Sequence, residues 1–286
     1  MKNLLPPQLD SFEVYMQIKD NARDPDKKKR LIDLENKVFS RYEVYQSKVN
    51  NLESISESDI TDEDDIKALE SCYTRNKDGY LEGEVVATII ALQSPQHKNS
   101  CPYCGMDKPR TIDHYLPKSI FPEFSIYPPN LIPCCGYCNS KKSKKWLKNG
   151  QRLFLNFYYD QIVTTKFLYA SLIFNQNTTE PRVEFELRNS ANISQNQFRL
   201  ISSHYEELNL LNELSEYVEE ELSNIYDEIS YNTHLPENQH IESLRMKKDS
   251  FVRKYGVNYW KASLYDAIID CSEFFERIYK HQPISQ

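Results

Sequence analysis

The sequence predicts a mainly α-helical protein with a small α+β insert near its middle. Three observations carry this. Only six glycines in 286 residues leave room for few tight turns. Apolar residues recur at helical spacing on both sides of the middle. Between Lys98 and Arg152 that periodicity gives way to a stretch rich in Pro, Cys and Lys. The chain therefore divides into an N-terminal helical region (1–97), an insert (98–152), and a hairpin followed by a C-terminal helical region (153–286).

In chain order, Leu31, Leu34, Val38, Tyr45, Val49 and Leu52 mark one long amphipathic helix. Thr61 followed by four acids reads as an N-cap with negative charge in the first turn, opening a helix through Ile66 and Leu69. A further helix is expected from Leu81 to Leu92. After the insert, "TTKFLYASLIF" and "RVEFELR" are rich in β-branched and aromatic residues, and Val183, Phe185 and Leu187 alternate as in a half-buried strand; the pair predicts a β-hairpin. Leu214, Val218, Leu222, Ile225 and Ile229 continue as helix. Leu264, Ile268, Cys271, Phe275 and Ile278 follow with near-heptad spacing.

The N-terminal "MKNLLPPQLD" cannot form the apolar core of a signal peptide, and the stretch Val85 to Leu92 is too short to span a bilayer. The expectation is a cytoplasmic protein with no membrane association. Five of the seven cysteines lie between Cys101 and Cys138, which in a reducing compartment points to metal and not to disulfides. Cys72 and Cys271 sit in helical patterns and read as small buried hydrophobes. The net charge of −7 argues against a general nucleic-acid binder. It hides an asymmetry: 98–152 holds ten basic and three acidic residues, a local charge of +7 against −14 for the remainder. Such a basic island is an electrostatic footprint for a polyanion.

"CPYC" (Cys101, Cys104) and "CGYC" (Cys135, Cys138) are two Cys-x-x-Cys knuckles, which together suit one tetrahedral, structural Zn2+. Cys134 offers another register but breaks the two-residue spacing. Two knuckles without a thioredoxin-like context fit a redox pair poorly. Between them "TIDHYLP" and "NLIPC" read as short strands and "GYCNSKKSKKW" as a helix start, a ββ-helix unit with Asp113 and Asn139 facing one another.

The run Cys-x-x-Cys, Asp-His-x-x-Pro-Lys, Asn-Leu, Cys-x-x-Cys-Asn-x-x-Lys resembles the HNH endonuclease family, the ββα-metal nucleases. It covers 101–146, about a sixth of the chain. Where the family name implies a final histidine, Asn139 stands, so the closer resemblance is to the Asp-His/Asn variant seen in the HNH domain of CRISPR effector nucleases. The resemblance implies a zinc-stapled ββα-metal core in a helical body and a metal-dependent endonuclease that leaves 5′-phosphate and 3′-hydroxyl ends. His114 is then the candidate general base. Asp113 and Asn139 would hold one divalent cation, Mg2+ or Mn2+, since neutral asparagine oxygen suits a hard ion. Asn130 would fix the loop that orients His114. Arg110, Lys118, Lys141, Lys142 and Lys145 are the candidate nucleic-acid contacts.

The substrate expected is nucleic acid, DNA before RNA, in a restriction or antiphage-defence setting, with an ATPase or other defence protein as partner. The competing reading is a catalytically silent zinc module that uses its basic helix to bind nucleic acid or protein. Such a module would not need Asp113, His114 and Asn139. A homing or recombination nuclease would carry dedicated DNA-reading modules, and none is visible. His97, His204, His234, His240 and His281 lack acid-rich or cysteine-rich neighbours at ligand spacing and receive no role.

Overall fold

The computed structural model describes residues 2–76, 79–161, 164–175, 180–190 and 192–280; His281 lies outside them. The chain forms two compact units, Asn3–Gln161 and the residues from Ile162 onward together with the first two. The N-terminal helices and the cysteine-rich region thus share one unit, where the sequence suggests a boundary at 97/98.

In the first unit, α1 (Ser11–Asp20) and α2 (Pro25–Ser47) each begin at an aspartate, Asp10 and Asp24, whose carboxylate accepts two otherwise unpaired backbone N–H groups. The stripe Leu31, Leu34, Val38, Tyr42 and Tyr45 buries one face of α2. The helix ends at Ser47, so Val49 lies beyond it and Leu52 is buried in a separate 3₁₀ turn. Apolar spacing continues there because both segments face one core, not because the helix does. α3 (Glu63–Glu70) is capped by Asp62, one residue after Thr61. A π-helical turn, Leu81–Val86, runs into α4 (Ala87–Leu92), filling the expected span, and α5 (Pro95–Asn99) delivers the chain to Cys101.

Strands β1 (Thr111–His114) and β2 (Leu131–Cys134) pair antiparallel, with Thr111 opposite Cys134 and His114 opposite Leu131. Helix α6 (Gly136–Lys142) follows directly. The segment between the strands is anchored on α2: Tyr45 meets Phe124 edge-on with centroids 5.1 Å apart, and Tyr42 meets Tyr127 at 4.3 Å. Then β3 (Leu147–Lys148) and β4 (Gln151–Arg152) form a small hairpin that the sequence pattern does not announce. Its two-residue turn, Asn149-Gly150, has φ of 53° and 72°, the left-handed pair that asparagine and glycine adopt most readily.

In the second unit, β5 (Leu168–Ile173) and β6 (Arg182–Leu187) form the expected antiparallel hairpin, with Val183 and Phe185 buried on one face. Helices α7 (Gln195–Glu207), α8 (Leu210–Tyr217), α9 (Glu219–Ser230), α10 (Glu237–Tyr255), α11 (Trp260–Ile269) and α12 (Ser272–Lys280) follow. Asn258 accepts from the backbone of Phe167 and Leu168, and Ser263 Oγ donates to the Leu168 carbonyl, fastening the hairpin to the start of α11. The two C-terminal periodicities each span a helix break, at Val218 and at Asp270-Cys271. Cys72 is buried as expected, whereas Cys271, at the second break, is only half-buried. No helix among the described residues is long and apolar enough to cross a membrane.

Candidate active site and metal centre

The four knuckle cysteines converge. Their sulfurs all lie within 4.8 Å of one another, and all four residues are buried. Cys104 and Cys135 Sγ are 3.8 Å apart, about the sulfur–sulfur spacing of a tetrahedron with 2.3 Å zinc–sulfur bonds. Backbone N–H groups already point at the sulfurs: Cys135 N at Cys101 Sγ (3.3 Å), Met106 N at Cys104 Sγ (3.4 Å), and Cys138 N at Cys135 Sγ (3.5 Å). Four cysteine sulfurs this close make a donor set that can hold a zinc ion. Cys134 stands apart, its thiol 3.4 Å from the Thr111 hydroxyl, which settles the register in favour of Cys135.

At the end of β1, His114 Nε2 lies 2.8 Å from the Ser125 carbonyl oxygen. A carbonyl can only accept, so Nε2 carries the proton and Nδ1 presents its lone pair. The ring is partly exposed yet enclosed by its neighbours, and this burial pushes its pKa down to about 4. His114 is therefore a neutral, oriented imidazole at neutral pH. Asn130 is fully buried and spans the loop between the strands: its Oδ1 accepts from Leu116 N at 2.8 Å, and its Nδ2 donates to the carbonyls of Leu116 and Phe124 at 2.9 and 3.3 Å. These bonds tie the residues just after His114 to the segment before β2.

Helix α6 lies against β1, and here the expectation needs correcting. Asn139 makes no hydrogen bond to Asp113; its Nδ2 donates to the Ile112 carbonyl at 3.3 Å. The group facing Asp113 is Lys142. Its ammonium is fully buried, 3.1 and 3.0 Å from the two carboxylate oxygens, and also donates to the His114 carbonyl at 2.8 Å. Lys142, expected to contact phosphate, is thus enclosed between Asp113 and the rings of Tyr115 and Phe154. The helix ends at Lys142, and Ser143 has φ of 49°, so "SKKSKKW" is not one solvated helix face.

Asp113 is itself buried and has a second partner, Tyr103, whose hydroxyl donates to it at 2.8 Å. Burial, with Asp113 beside it, pushes the Tyr103 phenol well above its ordinary pKa. The motif resemblance implies a divalent cation on Asp113 and Asn139. The oxygen donors suit magnesium or manganese in kind, but an ammonium already neutralises the carboxylate, and like charges would repel. As arranged, these residues form an ion pair and do not fit a ready cation site. Of the remaining basic candidates, Arg110, Lys141 and Lys145 are exposed and Lys118 is half-buried.

Three supporting residues have no place in the sequence motif. Tyr103 lies inside the first knuckle, where an aromatic between two ligands is a signal that could have found it. Arg41 of α2 pairs with the fully buried Glu123 at 2.6 Å, bracing the loop that carries Ser125; the two are 82 residues apart and share no sequence signal. Tyr73, just after α3, packs edge-on against His114 with centroids 4.3 Å apart.

No protein-family profile matches the chain. It is similar to protein ea31 of Escherichia phage lambda, 26% identical over an alignment of 211 residues that covers 62% of this chain. The match spans 64% of that protein's own length, slightly under two thirds. No solved structure matches.

Proposed function

We propose that the protein hydrolyses phosphodiester bonds in nucleic acid, DNA before RNA, with His114 as general base. The observation that supports this most is the imidazole itself: Nε2–H tied to the Ser125 carbonyl, a pKa near 4, and Nδ1 unprotonated. A free lone pair in a fixed direction is what a base needs to take a proton from water. The water oxygen attacks phosphorus, Nδ1 receives its proton, and the bond to the 3′ oxygen breaks, leaving a 5′-phosphate. The 3′ oxygen takes a proton from solvent. Zinc on Cys101, Cys104, Cys135 and Cys138 is structural in this reading, clamping the approach to β1 onto the start of α6.

The resemblance adds a magnesium or manganese ion on Asp113 and Asn139. Lys142 would have to leave the carboxylate to admit it, so no step is assigned to that ion. The same ion pair favours the second reading, a zinc module that binds nucleic acid without cutting it. Restriction or antiphage defence beside an ATPase partner rests on analogy of the motif alone. A plasmid-nicking assay with magnesium or manganese separates the readings. His114→Ala is expected to lose about 10² to 10⁴ in rate, as for removal of a positioned base, while keeping wild-type zinc content and DNA binding. Equal cutting by the variant and wild type would leave the binding module as the better account.

A further inference from the structure

We infer that Tyr73, from the N-terminal helical region, is a positioning residue for His114, so that the helical flank completes the site. The inference rests on the hydrolase reading for its functional meaning and on geometry for its substance. One side of the imidazole is fixed by the hydrogen bond from Nε2 to the Ser125 carbonyl. A single hydrogen bond leaves the ring free to swing about that contact, since a terminal sp³–sp² torsion has a broad, soft profile. Tyr73 removes that freedom: its ring meets the imidazole at 71°, with centroids 4.3 Å apart. Edge-to-face rings at this distance attract beyond simple burial.

Tyr73 is in turn held by two contacts of its own and by a tie in the segment that carries it. Its hydroxyl is 3.5 Å from the Ile112 carbonyl, two residues before His114 on β1. The Lys118 ammonium lies over its ring, 5.7 Å from the centroid, a cation–π contact that brings a positive charge beside the imidazole. Two residues further on, Arg75 grips Glu82 at the start of the π-helical turn, with Nη2 2.7 Å from Oε1. Tyr73 therefore lies just after α3, two residues before the Arg75 that is tied to that turn, with its ring against His114 of β1. Nothing in the Cys-x-x-Cys, Asp-His, Asn, Cys-x-x-Cys run supplies this wall. It comes from outside 98–152, from the part of the chain that the motif leaves without a purpose.

The test uses the full-length, zinc-loaded protein and three variants, Tyr73→Leu, Tyr73→Met and Tyr73→Phe. Nicking kinetics separate kcat from KM, and proton–carbon NMR follows the His114 ring. Tyr73→Leu is expected to lower kcat roughly 10- to 100-fold, the scale of a small misplacement of a reacting group, with KM nearly unchanged. Tyr73→Phe, which keeps the ring and removes only the long hydroxyl interaction, is expected to recover most of that rate. The His114 carbon-bound protons should move in Tyr73→Leu and stay in place in Tyr73→Phe, because the ring current of residue 73 disappears only in the first. Tyr73→Met, with a flexible side chain of similar bulk, should behave as leucine and covers the event that leucine misfolds. Unchanged kcat in Tyr73→Leu or Tyr73→Met overturns the inference, as does a purely KM effect. Should the wild type fail to cut at all, the hydrolase reading falls; increased motion of the His114 ring in carbon relaxation of Tyr73→Leu against wild type then supports the positioning role, and unchanged ring motion overturns it.

Discussion

At the scale of single residues, His114 and Lys142 make opposite use of burial. Enclosure of His114 penalises its charged form, so the folded pKa sits near 4, below the ordinary 6.5. Two consequences carry definite signs. The base form persists as pH falls through 6.5, so kcat/KM should show an acidic limb near pH 4 to 5; a limb near 6.5 would mean the working base is another group. The unfolded chain takes up a proton near 6.5 that the folded chain refuses until about 4, so this residue's share of stability is complete above 6.5 and is lost as pH falls from there towards 4. Lys142 is buried against Asp113 and the His114 carbonyl, which take up its hydrogen bonds. Lys142→Met should cost about 3–5 kcal/mol, since it strands a buried carboxylate, and Asp113→Asn with Lys142→Met should cost much less than the single change. Denaturant melts of the three proteins check this; equal losses in the single and double variants would show the pair to be uncoupled.

At the scale of elements, β1, β2 and α6 are each too short to be stable by themselves; four-residue strands and a seven-residue helix lie below what propensity can hold. The cysteine cluster is what joins them. Cys101→Ser or Cys135→Ser should remove about one zinc per chain and with it the ordered structure of 101–146. Elemental analysis together with proteolysis of that segment reads the outcome; a zinc-free wild type that stays ordered there would remove the metal from the account. The knuckles were legible in the sequence because a ligand pair three residues apart needs no knowledge of the rest of the fold. Asn130 was singled out through its place in the motif, and the structure adds that its side chain is hydrogen-bonded to the backbone of Leu116. Helix ends were less legible. The apolar spacing that runs past Ser47, and past Val218 and Asp270, reports a shared core, and a core accepts apolar side chains from a broken helix as readily as from a continuous one.

At the scale of the whole molecule, the basic island remains a feature of an acidic chain, but the side chains it offers to the proposed nucleic acid change. With Lys142 buried, the exposed candidates are Arg110, Lys141 and Lys145. Changing these three to alanine should weaken DNA binding and reduce the salt slope by about one for each phosphate no longer neutralised. An unchanged slope would place the nucleic-acid path elsewhere. The sequence by itself determined the helical class, the hairpin of Leu168–Ile173 with Arg182–Leu187, the four cysteines that cluster and the location of His114, because periodicity and Cys-x-x-Cys spacing are local properties. Only the tertiary structure decided which cation faces Asp113, which aromatic walls His114, and that α2 braces the Ser125 loop through Arg41 and Glu123. Those pairings join residues 29, 41 and 82 positions apart. A side chain's direction and its distant partner are set by how elements pack, and no local pattern of residues encodes that.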